Sequence, residues 1–364
     1  MKYYKLAALL PALALLFSLA ACNSGVTDPT GGPTQESSAE PVESPDLTDD
    51  AQPDIRLAVL SGPTGIGAAK LLSDADAGLT ANSYGYVIET DNSALVAGLT
   101  TGEIDIATMA SNMAVNLYNK NDGDVRIIAA GTLGVLHILE GKGGMEINSV
   151  ADLAGKTIYS AGQGANPEYI LRHLLQKSGL EVVTDEEAVL DSTGEKVKIV
   201  FRDAAEIQAG LLDEDSGIRY AMLPVPAATA AIFKGEGKVR DAIDVTEAWS
   251  ELQGGKLIMT AVVARAGFVE EHPDLVDAFL ADYEASIDYV NNNPDAAAEL
   301  VAGYGLTPNA AIAKEAIPQC NLVFLSGNDM MIDLSDYFQT LYEIDPASVG
   351  ISLPDDGIYY IQAG

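Results

Sequence analysis

From Asp54 onward, short apolar runs alternate with segments of helical period. Runs of four to nine apolar residues bounded by Gly, Pro, Asn or Asp read as buried strands, and apolar positions recurring every three or four residues read as amphipathic helices. The pattern predicts strands over 55–60, 84–89, 104–107, 125–130, 133–139, 157–160, 197–201, 220–223, 239–245 and 257–264. It predicts helices after Gly65, over 92–101, around Met113 to Tyr118, and over 168–178, 204–212 and 227–233. Ser149 to Lys156 reads as one capped helical turn closed by Gly155. Four more helices follow, over 273–291, 294–304, 309–317 and 329–343. Alternating strands and helices predict an α/β fold whose sheets are mostly parallel. The helix-rich tail, with no clear new strand, is expected to pack back onto an existing body.

The first 53 residues do not follow this pattern. Lys2 and Lys5 are the only charges before Asp28, and residues 6–21 are apolar apart from Ser18, with a break at Pro11. That run is too short for a comfortable membrane span and reads as a signal peptide. Its end, Leu19-Ala20-Ala21-Cys22, resembles a bacterial lipobox. The resemblance implies cleavage before Cys22 and lipid chains such as palmitate on that cysteine. Residues 23–53 are rich in Thr, Ser, Pro, Gly, Glu and Asp. Such a composition cannot offset its ordering entropy by burial, so a disordered tether is expected.

One local device recurs four times in the folded part. An apolar strand leads through small or polar residues into a helix at Leu60-Ser61-Gly62-Pro63-Thr64-Gly65, at Ala107-Thr108-Met109-Ala110-Ser111-Asn112, at Tyr159-Ser160-Ala161-Gly162-Gln163-Gly164, and at Leu223-Pro224-Val225-Pro226. A helix start carries unpaired backbone N–H groups, and in open α/β sheets ligands bind beyond the carboxyl ends of the strands. The bland reading of any one of these is an ordinary strand–helix turn. None of the four carries a charge, and together they suit two lobes that face a small solute across a cleft. The candidate ligand-binding residues are Ser61, Thr64, Gly65, Ser111, Asn112, Ser160, Gln163, Asn166, Pro224 and Pro226.

Charge and motifs narrow the function. The chain of 364 residues has 53 acidic and 20 basic residues and a formal charge of −33, which repels nucleic acid and anionic headgroups. Gly62 and Gly67 have P-loop spacing, but Ala68 and Ala69 stand where Lys and Ser or Thr are required. Gly65-Ile66-Gly67 and Gly162-Gln163-Gly164 each lack the third glycine of a dinucleotide fingerprint. There is no Gly-x-Ser-x-Gly elbow. The three histidines, His137, His173 and His272, are too scattered for a metal pair on one helix face. His173 and His272 are expected at the surface, and His137 in the core or lining the cleft. Cys320 is expected to be a buried structural thiol.

The order of the turns, with Val150-Ala151-Asp152-Leu153-Ala154-Gly155-Lys156-Thr157-Ile158 opening the second half, resembles ABC-transporter substrate-binding proteins. The branch it is most similar to binds nitrate, taurine, aliphatic sulfonates and thiamine precursors. The resemblance implies a two-lobed type II periplasmic-binding-protein-like fold, each lobe a mostly parallel sheet flanked by helices, on a two-strand hinge. It places the first lobe over 54–145 and 248–364 and the second over 146–247. It implies an extracytoplasmic, lipid-anchored binding protein of the cell membrane, monomeric, with ABC permease and ATPase partners. No enzyme activity, cofactor or metal is expected. Ligand-sensing receptor subunits and small-molecule enzymes share this fold and are the alternatives. The fungal thiamine-pyrimidine enzymes among the latter use a Cys-rich iron motif that this chain lacks, and the menaquinone-pathway enzymes are cytosolic. A sulfonate-, nitrate- or pyrimidine-precursor-like solute is expected. The turns lack a cation, which favours a neutral or zwitterionic solute, or an anion held by backbone N–H groups and hydroxyls. Tyr84, Tyr169 and Trp249 are candidates for stacking on a heterocycle, or for core packing.

Overall fold

A strand that is apolar on both sides must be covered on both faces, and helices that follow parallel strands do this. The computed structural model describes residues 52–191 and 194–362; Cys22, the expected signal peptide and the tether lie outside the described residues. β1 (Ile55–Leu60) lies between β2 (Tyr84–Glu89) and β3 (Ile106–Ala110), parallel to both. α1 (Pro63–Asp76), α2 (Asn92–Thr101) and α3 (Ser111–Lys120) follow these strands in turn, and β4 (Val125–Thr132) comes next.

The chain then crosses through residues 133–135 to a second sheet. Its elements are β5 (Leu136–Glu140), β6 (Thr157–Ser160), α4 (Asn166–Lys177), β7 (Glu181–Val183), β8 (Lys196–Phe201), α5 (Ala204–Leu212), β9 (Tyr220–Pro224), α6 (Ala227–Gly235), β10 (Arg240–Asp244) and α7 (Val245–Leu252). A 3-10 turn, Val150–Leu153, precedes β6, and Ser149 and Asp152 form its capping box. Residues 253–259 lead back to the first sheet. There the chain forms β11 (Thr260–Arg265), α8 (Ala266–Glu271), α9 (Pro273–Asn292), α10 (Pro294–Gly303), α11 (Ala310–Ala316), β12 (Leu322–Leu325) and α12 (Gly327–Ile344). Among the described residues no helix is long and apolar enough to cross a membrane.

The two sheets repeat one plan. Their orders are β12-β4-β11-β3-β1-β2 and β10-β5-β9-β6-β8-β7. In each, the strand that arrives from a crossing inserts antiparallel beside the last strand of the parallel set: β11 beside β3, and β5 beside β9. Thr260 opposes Ala110 at the end of β3, and Leu136 opposes Pro224 at the end of β9. Both crossings therefore reach the edges at which the parallel strands end, and the strand–helix turns of both lobes gather there.

The sheets are mixed, with antiparallel members in each. Sheet pairing seats β5, which lies inside the span 54–145, in the second sheet. The tail does contribute a strand: β12 pairs with β4. Its four residues fall between a 3-10 turn and a long helix, too short a run to stand out as a strand. β7, α7 and α8 are likewise short elements that the pattern does not announce. β3 continues through Ala110 and α3 begins at Ser111, so the residues expected as a loop there are strand and helix. Residues 257–259, expected as strand, belong to the return crossing.

The ends of the sheets away from these turns carry buried charge. Asp105 accepts from Arg56 Nε (2.8 Å), Arg56 N (3.0 Å) and Arg265 Nη2 (2.6 Å), which joins β1, β3 and β11. Burial alone would raise the Asp105 carboxyl, but the two guanidinium groups outweigh it and hold it below the usual carboxylate value. In the second sheet Glu140, fully enclosed, lies 2.7 Å from Arg240 and 3.6 Å from Arg219, and accepts from Glu146 N (3.0 Å) and Ile147 N (3.3 Å). Removing one partner of a buried pair leaves the other charge uncompensated. Glu140→Ala is expected to destabilise the folded chain by about 3 kcal/mol, read as a lower urea midpoint with an unchanged slope; a midpoint equal to wild type would remove this role for Glu140.

Candidate functional site

The four strand–helix turns share a capping property. The N-cap residues of α1, α3, α4 and α6 are Gly62, Ala110, Ala165 and Pro226, and none makes a side-chain cap. Asp91, Asp244 and Asn309 cap α2, α7 and α11 with their own oxygens, whereas α5, α8, α9, α10 and α12 also start without a side-chain cap. The four helix starts therefore keep N–H groups that no capping side chain has taken. Gly62 makes the first turn possible: its φ of 113° and ψ of −152° belong to a region that a Cβ excludes.

Two of the predicted residues meet across the lobes. Asn166, the first residue of α4, donates from Nδ2 to Ser111 Oγ (3.0 Å) and to the Met259 carbonyl (2.9 Å). Ser111, the first residue of α3, donates its N–H to the same carbonyl (3.0 Å) and its hydroxyl to the Ile258 carbonyl (2.7 Å). Met259 N donates in turn to the Thr132 carbonyl (3.1 Å), and the Thr132 and Thr260 hydroxyls lie 2.7 Å apart. Helix starts from both lobes and both crossings thus converge on Met259. Away from it, Thr229 on α6 donates to Gln319 Oε1 (3.0 Å), a second polar contact between the lobes.

The remaining candidates differ in what they offer. Asn112 is fully buried and its Nδ2 donates to the Ser348 carbonyl (3.3 Å). The hydroxyls of Thr64 and Ser160 donate to the carbonyls of Leu60 (2.8 Å) and Ala161 (3.0 Å). Gly65 is a packing glycine, because a Cβ there would fall 2.6 Å from Leu306 Cδ2. Ser61, Pro224 and Pro226 are half-buried, Gln163 is exposed, and the Val225–Pro226 bond is cis. The Oδ1 atoms of Asn112 and Asn166 are buried and have no hydrogen-bond partner.

A fifth turn belongs to the same edge. Asn92, at the start of α2, accepts from Ala110 N through Oδ1 (3.1 Å), and so ties the turn after β2 to the end of β3. Glu89 and Asp91 make that turn charged, which hides it from a search for small neutral turns. Glu168 accepts from Gly164 N (2.8 Å) and pairs with Arg172 (2.7 Å), so a carboxylate of the chain already occupies the loop 162–164. Tyr169 is pushed up by burial, by Asp345 and by Glu168. Lys70 points elsewhere: it pairs with Asp74 and lies 5.1 Å from the Tyr289 ring centroid. Among the described residues no cluster of three or more His, Cys, Asp or Glu is placed to hold a metal.

The aromatic candidates divide between packing and the lobe boundary. Trp249 is 1% exposed, between His173 (5.4 Å) and Tyr337 (6.2 Å). Tyr84 packs on Phe279 (6.4 Å) and donates to Asp282 (2.8 Å). Tyr169 is half-buried on α4. His173, expected at the surface, is buried on α4, packed against Trp249 and hydrogen-bonded to Gln253 (2.8 Å). Cys320 is buried, as its apolar surroundings imply. A cavity of about 440 Å³ beside Ser149 and Asp244, and a groove of about 600 Å³ between β2 and α2, contain no residue of the four turns.

The model of the family described as NMT1/THI5 like matches residues 76–297. None of the curated proteins gives a significant match. Among solved structures, the chain is similar to an ABC transporter from Parabacteroides distasonis (22% identity, 85% of this chain and 99% of that one, TM-score 0.68). It is also similar to the periplasmic aliphatic sulphonate binding protein of Escherichia coli (16%, 82% and 90%, 0.62). A Candida albicans protein with the generic periplasmic binding protein fold is a third (14%, 84% and 92%, 0.52). At these identities the likeness is one of fold, and the fold is that of periplasmic binding proteins.

His137 lies on β5, two residues past the first crossing, and its Nδ1 is 2.9 Å from Asp241 Oδ2. Burial alone pulls the imidazole down, but the hydrogen bond to Asp241 and the charges of Asp241 and Asp244 raise it above the ordinary histidine value. The folded chain therefore holds this proton more tightly than the unfolded chain does. The stabilisation is complete below the ordinary histidine range, about pH 6.5, and is lost as pH rises through the raised value. His137→Gln is expected to lower the urea midpoint more at about pH 5 than at about pH 8.5; an equal loss at both would show that the imidazole acts by packing alone.

Proposed function

The chain belongs to the NMT1/THI5-like family, and on that premise we propose that it is the solute-binding component of an ABC importer. It captures a small polar solute between its lobes at the outer face of the cell membrane. Lipid chains on Cys22 anchor it there, and residues 23–53 act as the linker. The observation that carries this reading is the convergence of four helix starts without side-chain caps at the edges where the chain crosses between the sheets. Helix starts held on two bodies with only two connections can close on a solute and open to release it. A solute that touches both bodies favours the closed arrangement by its differential affinity for the two states.

In this role the turns supply Ser61, Thr64, Gly65, Ser111, Asn112, Ser160, Gln163, Asn166, Pro224 and Pro226 as the contact set, with Asn92 added to it. Permease and ATPase subunits are the partners, and the chain works as a monomer over 54–364. Binding proteins of this fold include one named for aliphatic sulphonates, which supports a small organic solute here. No chemistry is assigned to the cleft, and the solute is expected to leave it unchanged.

A thermal-shift screen of sulfonates, nitrate, pyrimidines and amides tests the reading. A solute at a hundred times its Kd stabilises the folded state by about 2.7 kcal/mol, an upward shift of several degrees for a weakly stable domain and less for a large one. Small-angle scattering should show a smaller radius of gyration with that solute bound, and mass spectrometry of the released solute should return its original mass. A changed mass would make the protein an enzyme. Cys22→Ser is expected to move the protein from the membrane fraction to the soluble fraction; retention in the membrane would remove the lipid anchor from the reading.

A further inference from the structure

The outgoing crossing is held residue by residue. A Cβ on Gly131 would run into the Tyr283 hydroxyl of α9, the hydroxyls of Thr132 and Thr260 lie 2.7 Å apart, and Leu133 N donates to the Asn321 carbonyl (3.1 Å). These holds come from the first body. From Gly134 onward they come from the second: a Cβ on Gly134 would run into Thr246 of α7, and the Val135 carbonyl accepts from Val225 N (2.9 Å) in the turn after β9. The grip changes at Gly134, which makes the peptide between Leu133 and Gly134 the pivot of this crossing. The return crossing is freer. Gly254 and Gly255 both have left-handed φ, 75° and 73°, and a Cβ on either would meet nothing within 4 Å.

Asn321 reaches across that pivot. The ladder between β12 and β4 pairs Leu322 with Thr132, and the Asn321 carbonyl extends it by one residue to Leu133. The side chain goes one residue further: Nδ2 donates to the Gly134 carbonyl (2.5 Å). Asn321 has a φ of 43°, a left-handed conformation that asparagine tolerates better than most residues. Two residues earlier, Gln319 Nε2 donates to the Glu315 carbonyl (3.1 Å), which leaves Oε1 to accept from Thr229 of α6 (3.0 Å). Cys320 between them is fully buried in the first body, where its thiol donates to the Ala316 carbonyl (3.3 Å). A rooted residue thus carries an amide on either side, one directed to the second body and one to the pivot.

We propose that residues 319–321 are a latch for the closed arrangement, with Gln319 and Asn321 as positioning residues. Opening of the lobes separates Gln319 from Thr229 and turns the Gly134 carbonyl away from Asn321. Two hydrogen bonds of ordinary net strength shift a two-state ratio about threefold each and about tenfold together. The identity of Asn321 fits this role. Glycine takes the same φ but has no donor, and aspartate would set a carboxylate against a carbonyl. The latch presupposes the moving bodies of the solute-binding reading and adds what restrains them.

The test measures the separation of the lobes with no solute added, by spin-label distances in the full chain carrying Cys22→Ser, Ser93→Cys and Ala205→Cys. Ser93 on α2 and Ala205 on α5 are exposed, one on each body at the edge where the parallel strands end, and Cys320 is buried from the label. Asn321→Gly keeps the backbone conformation, Thr229→Val keeps the side-chain shape, and each removes one bond of the latch. The unlatched background is expected to lie well apart from the latched one: the parent is held mainly at the shorter separation, each single variant raises the ratio of longer to shorter about threefold, and the double variant about tenfold. Unchanged separations in the double variant overturn the proposal whether or not its urea midpoint falls, because a fall alone marks a packing role. A parent already at the longer separation overturns it too. If Asn321→Gly does not fold, Thr229→Val alone decides. No outcome depends on a solute, so failure here leaves the solute-binding reading standing, and an empty solute screen leaves the latch standing.

Discussion

A single backbone carbonyl, that of Met259, accepts from both lobes at once: from Ser111 N on one side and from Asn166 Nδ2 on the other. Ser111 and Asn166 are both placed by it. Met259 belongs to the return crossing, and its own N–H is tied to Thr132 at the end of the outgoing strand. The separation of two helix starts is thereby set by a peptide that belongs to neither helix. A shift of the crossing by part of an ångström moves one lobe's donors relative to the other's.

The distribution of charge complements this arrangement. Strong ionic contacts lie at the far ends of both sheets, where Asp105 sits between Arg56 and Arg265, and Glu140 between Arg219 and Arg240. Each carboxylate is buried and each has an arginine on either side. The parallel strands start near these contacts and end near the four turns, so strand direction itself separates the ionic contacts from the uncharged turns. The turns there present amides, hydroxyls and peptide groups. These discriminate by hydrogen-bond direction, whereas a lysine would attract most small anions.

Much of the plan was readable from residue patterns. β1, β2, β6 and α5 have the bounds that the periodicity predicts; Asp54 and the Ser61-Gly62 turn bound β1, and Asp203 and Asp213 bound α5. Residues that are short in sequence and long-range in pairing were not readable: β12 is four residues, and only β4 gives it a strand partner. The site was legible in outline. Ser111 and Asn166 could be named from their turns, but their contact depends on Met259, which no local pattern marks. The hydroxyls of Thr64 and Ser160 looked free in sequence and are donated to nearby carbonyls, because a small polar residue at a turn usually finds a backbone partner first. Asn92 was masked by the charges beside it.

The two sheets also differ in how they are drawn from the chain. The second uses one unbroken stretch, from Leu136 to Asp244. The first needs β11 and β12 from the far end, and Asn321, just before β12, donates to the Gly134 carbonyl (2.5 Å) and accepts from Leu133 N (3.1 Å). A chain that emerges N-terminus first can therefore complete its second body while the first still waits for its last strands. The first body must remain open, with the edges of β3 and β4 unpaired, until some hundred and thirty further residues have emerged beyond β4 to supply β11. Protection of those edges while the chain emerges is a requirement of this topology, and the early completion of the continuous body beside them is the means the fold provides.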